Sequence, residues 1–201
     1  EGTYRPDFDP QSFKTTHPDS TSELGTITYA DGKLSIKKLG NGWVNFVGAM
    51  KSTFNVDAKS GTVTLNYKAD DVHRLYVTFT DKQGRLLKVN VSAFINSKAG
   101  GETDYLEGGD YSGTYKIADL INFQLKAEDN AVPADGVLTV SEISFNMEGK
   151  GDRSLNFTKF EFATKAAGNT TPDENPSTGS NAAPLVAASL LALTSLGFVI
   201  V

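Results

Sequence analysis

The chain has no cysteine, two histidines (His17 and His73), two methionines and a single tryptophan in 201 residues. Without thiols there is no disulfide framework, no thiolate metal centre and no cysteine nucleophile. Two histidines are too few for a multi-histidine metal site. Basic residues are the minority charge, 19 Lys and Arg against 24 Asp and Glu. No nucleic-acid partner is expected, because neutralising phosphates needs a basic surface. Also missing are a Gly-x-Ser-x-Gly elbow, a His-Glu-x-x-His pair and a phosphate-cradling glycine loop. No fixed-period repeat is visible, which sets aside solenoids and propellers, and no long segment carries a clear helical period.

What is present is unevenly distributed. Residues 166–201 contain no Lys or Arg, and their only charges are Asp173 and Glu174. Residues 168–181, GNTTPDENPSTGSN, are polar and proline-containing and read as a linker. Residues 182–201 form an uncharged 20-residue run; as a helix rising about 1.5 Å per residue it matches the roughly 30 Å hydrocarbon core of a bilayer. The expected division is therefore a domain over 1–165 with its core from about 24 to 165, a linker over 166–181, and a hydrophobic membrane span over 182–201. The domain keeps all 19 basic residues and 22 of the 24 acidic ones, a net charge of -3.

That domain alternates apolar and polar residues by twos. Val63, Leu65 and Tyr67 share one face, as do His73, Leu75, Val77 and Phe79. The segment Arg85–Ile95 places Leu87, Val89, Val91, Ala93 and Ile95 inward, and Ile121, Phe123, Leu125 and Ala127 repeat the pattern. Leu138, Val140, Ile143, Phe145 and Met147 follow, then Leu155, Phe157, Phe160 and Phe162. Phase changes after Val140 and after Phe157 predict β-bulges. Asp31-Gly32, Asn41-Gly42, Gly100-Gly101 and Asp135-Gly136 are among the turn signals between strands. About ten short strands without a βαβ signal predict an all-β fold, an antiparallel two-sheet sandwich of jelly-roll type. His73, on an apolar face, reads as a satisfied core histidine.

The outward positions of the middle strands hold the candidate site. Arg74, Tyr76 and Thr78 share a face, as do Lys88, Asn90, Ser92 and Phe94, and as do Asn122, Gln124 and Lys126. In one sheet these would offer two aromatics, amides, hydroxyls and cations. Sugars use that chemistry: pyranose C–H groups pack on aromatic planes, and hydroxyls pair with planar amides. An ordinary solvated outer face has a similar composition; an exposed Phe94 favours binding. Ligand-binding roles are expected for Arg74, Tyr76, Asn90, Phe94, Asn122 and Gln124. Trp43, Tyr105 and Tyr111 are further candidates. For Trp43, either it and Val47 face inward or Val44 and Phe46 do, and a lone Trp in a sandwich more often joins the core. The acids fall mainly in turns, so no catalytic residue is assigned and no cofactor is required; an Asp-rich turn could hold a structural Ca²⁺.

Two stretches resemble known families. Asn175-Pro176-Ser177-Thr178-Gly179, followed by the apolar run, resembles the cell-wall sorting signal of Gram-positive surface proteins. That resemblance implies cleavage between Thr178 and Gly179 by a sortase-type transpeptidase, attachment of Thr178 to the cell wall, and passage through the membrane beforehand. It departs from the usual pattern in carrying Asn where Leu is commonest and in having no basic residue after the run. A glycolipid-anchor signal, with Ala167, Gly168 and Asn169 as its small residues, is the alternative. Both place the domain outside the cell, at its surface.

The body, from Asp31 to Phe162, is similar to the jelly-roll carbohydrate-binding modules of polysaccharide-degrading enzymes. The similarity lies in Gly40-Asn41-Gly42-Trp43, Val77-Thr78-Phe79-Thr80-Asp81, Ile121–Glu128 and Val137–Phe145. Leu138-Thr139-Val140-Ser141-Glu142-Ile143 looks like the penultimate strand of such modules, with Ser141-Glu142 replacing their Asp-Asp. The expectation is a non-catalytic, surface-anchored module that binds polysaccharide. The alternative is an adhesin or stalk domain that binds protein or acts as a spacer.

Overall fold

The structure, a computed structural model, describes residues 2–9, 14–16, 24–127 and 136–164. The linker, the motif Asn175–Gly179 and the 182–201 run lie outside the described residues. Among the described residues no helix is long and apolar enough to cross a membrane.

Among the described residues eleven strands and two helices follow in the order β1 (Gly2–Tyr4), β2 (Lys14–Thr16), β3 (Gly25–Ala30), β4 (Lys33–Lys38), β5 (Val44–Asp57), β6 (Thr62–Ala69), β7 (His73–Thr80), β8 (Leu86–Asn90), α1 (Val91–Lys98), β9 (Gly109–Lys116), α2 (Ile117–Ala127), β10 (Val137–Met147) and β11 (Arg153–Thr164). One sheet runs β3-β4-β11-β6-β9, with β1 on the second half of β11; the other runs β2-β5-β10-β7-β8. From β4 onward successive strands alternate between the sheets except at the β7–β8 hairpin, which is the strand order of a jelly roll. All pairings are antiparallel.

The alternation seen in sequence is the alternation of burial. Val63, Leu65 and Tyr67 from one sheet meet Leu75, Val77 and Phe79 from the other, over a base of Phe46, Phe54, Phe145, Phe157 and Phe162. Register shifts fall between Val140 and Glu142 and between Phe157 and Lys159, at the two expected bulges. The amino-terminal segment adds Tyr4, stacked on Phe54 at 5.3 Å, and buried Phe8.

Two expected strands are helices. The strand foreseen over Arg85–Ile95 ends at Asn90, whose side-chain oxygen accepts the Ala93 N–H at 3.0 Å and caps α1. Gly100, at φ +83°, follows the helix end, and the Gly101 N–H closes on the Asn96 carbonyl at 2.9 Å. Ile121, Phe123, Leu125 and Ala127 belong to α2, where Ile117, Leu120, Ile121 and Gln124 make the buried stripe at i, i+3, i+4 and i+7. The period-two pattern was fortuitous: residues 117–125 are apolar often enough to satisfy both periods.

Where β8 departs, the start of β7 takes other backbone partners. Tyr76 to Thr80 pair with β8, the Leu75 N–H donates to Ser92 Oγ at 2.9 Å, and His73 exchanges both backbone bonds with Leu106. Ser92, expected on the outer face, is therefore buried.

His73 is fully buried. Its Nδ1 lies 3.0 Å from the Asp71 carbonyl, to which it donates, and its Nε2 lies 3.0 Å from the Tyr67 hydroxyl, from which it accepts. Burial pushes the imidazole pKa below its usual value, and the Asp71 carbonyl only partly opposes this. Folded His73 thus binds a proton less readily than the unfolded residue, so its contribution to stability is full above pH ~6.5 and is lost as pH falls below it. The urea midpoint should fall between about pH 6.5 and 5, before the carboxylates titrate, and His73→Gln should remove this step.

Candidate functional site

The outer face of the β2-β5-β10-β7-β8 sheet carries a groove of about 500 Å³. Strand register sets its floor in rows. Asn45, Asn146 and Arg74 lie side by side across β5, β10 and β7, and Val47, Ser144, Tyr76 and Asn90 form the next row. Trp43 and Glu148 close one end, Lys88 the other, and Asp104 leans in from the loop after α1. By strand geometry, four residues of rise and two strand spacings put Trp43 about 16 Å from Tyr76 along a diagonal. That is room for a chain of several rings.

Trp43 is 37% exposed at this rim, because Val44 and Phe46 are the pair that faces the core. Of the two phases that sequence allows, the structure takes the one that turns Trp43 outward. Its loop is clamped to the one after β10. Lys38 continues the inward phase of Leu34 and Ile36, and its Nζ donates to the carbonyls of Gly40, Gly149 (3.3 Å) and Gly151 (2.9 Å). The Gly42 N–H bonds the Gly149 carbonyl at 3.1 Å, and the Gly151 N–H bonds Asn41 Oδ1 at 2.8 Å. Burial lowers the Lys38 pKa, as does nearby Arg153, while Asp152 and Asp71 oppose the fall.

Arg74 is tied down on three sides. It donates in bidentate fashion to Asp104 (3.1 and 3.1 Å), and through Nη1 to Glu148 (2.8 Å) and Asn146 Oδ1 (3.1 Å). Asn146 Nδ2 in turn donates to Asn45 Oδ1 at 2.7 Å. Tyr105 packs against the guanidinium, 5.3 Å from its ring centroid, and Lys88 Nζ lies 4.6 Å from the Tyr76 centroid. The lining charges, Arg74 and Lys88 against Asp104 and Glu148, balance. Among the described residues no three acidic or histidine side chains gather as metal ligands.

The other expected ligand residues lie elsewhere. Phe94 is 4% exposed and packs edge-on to Tyr115 and Phe123, so the aromatic expected on the outer face is a core residue of the helical edge. Asn90 borders the groove, but its Oδ1 caps α1 and its Nδ2 donates to the Asp104 carbonyl at 2.9 Å. Gln124 is buried and accepts the Asn90 N–H at 3.3 Å. Asn122 is exposed on α2 beside Asp119 and Lys126, in a separate depression. Tyr111 stacks on Tyr67 at 5.2 Å and donates to the Glu107 carbonyl. Asn45, Ser144, Asn146, Asp104 and Glu148 were not singled out from sequence. Alternation alone turns Ser144 and Asn146 outward, but nothing local places β10 between β5 and β7.

No protein-family model and no curated protein matches the chain. Among solved structures it is similar to a family 29 carbohydrate-binding module (13% identity, 79% of this chain and 83% of that one, TM-score 0.38). It is also similar to the family 30 module of a Clostridium thermocellum cellulosomal cellulase (10%, 73% and 86%, TM-score 0.43). A third is the Endo-D glycoside hydrolase domain of Streptococcus pneumoniae (10%, 75% of this chain and 21% of that one, TM-score 0.44). At these identities and scores the likeness leaves the ligand open.

Lys38→Met should strand the Gly40 and Gly151 carbonyls and leave the Gly149 carbonyl with the Gly42 N–H alone. It is expected to lower unfolding stability by about 2–4 kcal/mol in urea titration, and to raise the proteolytic sensitivity of the 39–43 loop.

Proposed function

We propose that this protein binds a neutral polysaccharide, without catalysis, in the groove on the outer face of the β2-β5-β10-β7-β8 sheet. The observation that carries the proposal is the pairing of an exposed aromatic, Trp43, with a half-buried one, Tyr76, across a floor of amides and a hydroxyl whose charged neighbours cancel. Aromatic planes accept the C–H faces of pyranose rings, and the fixed amides distinguish hydroxyl positions. Asp104 commits both carboxylate oxygens and Glu148 one to Arg74, so these acids serve to hold the guanidinium rather than to attack an anomeric carbon or protonate a glycosidic oxygen. An open groove of this kind supports micromolar or weaker affinity, about -8 kcal/mol at most.

The tail completes the reading. Asn175–Gly179 acts as a sorting motif, the 182–201 run holds the precursor in the membrane, and a sortase-type transpeptidase joins Thr178 to the wall. Support comes from the motif and from the absence of charge across that run.

Trp43→Ala and Tyr76→Ala should each weaken binding to a soluble neutral polysaccharide about tenfold or more by calorimetry. Phe94→Ala should instead destabilise the fold by about 3–5 kcal/mol. Raising salt to about 1 M should leave affinity unchanged; a steep salt dependence, or a glycan array without a single hit, would sink the proposal. Sugar release from the bound chain that Asp104→Asn abolishes would replace binding with catalysis. Expressed in a Gram-positive host, Thr178→Ala should move the domain from the wall fraction to the membrane fraction.

A further inference from the structure

Ser144 lies on the floor of the groove, between Val47 and Tyr76 in the register of β5, β10 and β7. It is 4% exposed, and its Oγ is, among the described residues, the only buried side-chain polar atom without a hydrogen-bond partner. The neighbouring amides and the guanidinium are engaged elsewhere: Asn146 with Asn45 and Arg74, Arg74 with Asp104 and Glu148, and Asn90 with Ala93 and Asp104. A buried hydroxyl left unpaired is unfavourable, and alanine at this position would avoid that. The residue is thus worse for the free fold than its simplest replacement. It sits where a chain stretched from Trp43 to Tyr76 must cross the sheet.

We infer that Ser144 is the specificity-determining residue of the groove, its Oγ pairing with one hydroxyl of the bound glycan. This rests on the carbohydrate reading above and assigns a single contact within it. A glycan hydroxyl turned down over β10 meets Ser144 Oγ once the bordering side chains part, while the Arg74 network, already satisfied, sets the shape of the site rather than reaching for the ligand. A sugar lacking that hydroxyl, or carrying a bulky substituent on it, is rejected: the first leaves Ser144 unpaired, the second cannot reach the floor.

The test measures stability and affinity on the same variants of the full chain. Ser144→Ala should leave the thermal midpoint unchanged or raise it, while weakening binding to the best neutral polysaccharide about five- to tenfold. Ser144→Cys, which nearly keeps the volume but hydrogen-bonds weakly, should weaken binding similarly. Unchanged affinity in Ser144→Ala would overturn the assignment. So would a fall in stability alongside affinity, which is the mark of a structural role. A wild-type protein that binds no neutral glycan would instead overturn the parent reading, a result distinct from a wild type that binds and a variant that binds equally well.

Discussion

The constraint on which the site depends is the backbone of β7 beyond its pairing with β8. Buried N–H and C=O groups must find partners, and β8 serves only Tyr76 to Thr80. The Ser92 hydroxyl takes the Leu75 N–H and Leu106 takes both groups of His73. Satisfying them sends the chain into α1 and back along β7, which brings the 101–108 loop to the rim. Asp104 arrives there to grip Arg74, and Asn90 both caps the helix and holds that loop. Helix, loop and groove wall are consequences of one strand ending early.

The opposite wall has its own anchor. A buried ammonium at Lys38 gathers three carbonyls from two loops, and Trp43 emerges from the clamped segment. With Arg74 fixed by two carboxylates and an amide, both walls of the groove are held by internal hydrogen bonds before any ligand arrives. Rigidity limits the ordering that binding must impose. Among the described residues, the Ser144 hydroxyl is the one buried side-chain polar atom left unpaired.

Much of the fold was legible in sequence because burial follows a period of two. The phases of β6, β7, β10 and β11, both bulges and the core role of His73 could be read directly. The helices could not, since Leu87, Val89 and Val91 continue in phase with Ala93 and Ile95, and the Asn90 cap and Gly100-Gly101 stop were the only contrary signs. Misreading those two segments turned Phe94 and Gln124 outward on paper. Arg74 and Tyr76 were legible because they lie on one true strand. Ser144 and Asn146 were not, because their neighbours come from strands some 70 to 100 residues away in the chain. The face taken by Trp43 was decided by the phase of Val44 and Phe46, which sequence left open.

Trp43 is the only tryptophan in the chain, so its fluorescence reports the groove and nothing else. Titration with a soluble neutral polysaccharide is predicted to give a saturable blue shift of the emission, as a sugar ring covers an indole that is otherwise partly in water. Saturable binding in a depletion assay with no change in that emission would mean that the ligand sits elsewhere, and would contradict the assignment of the groove.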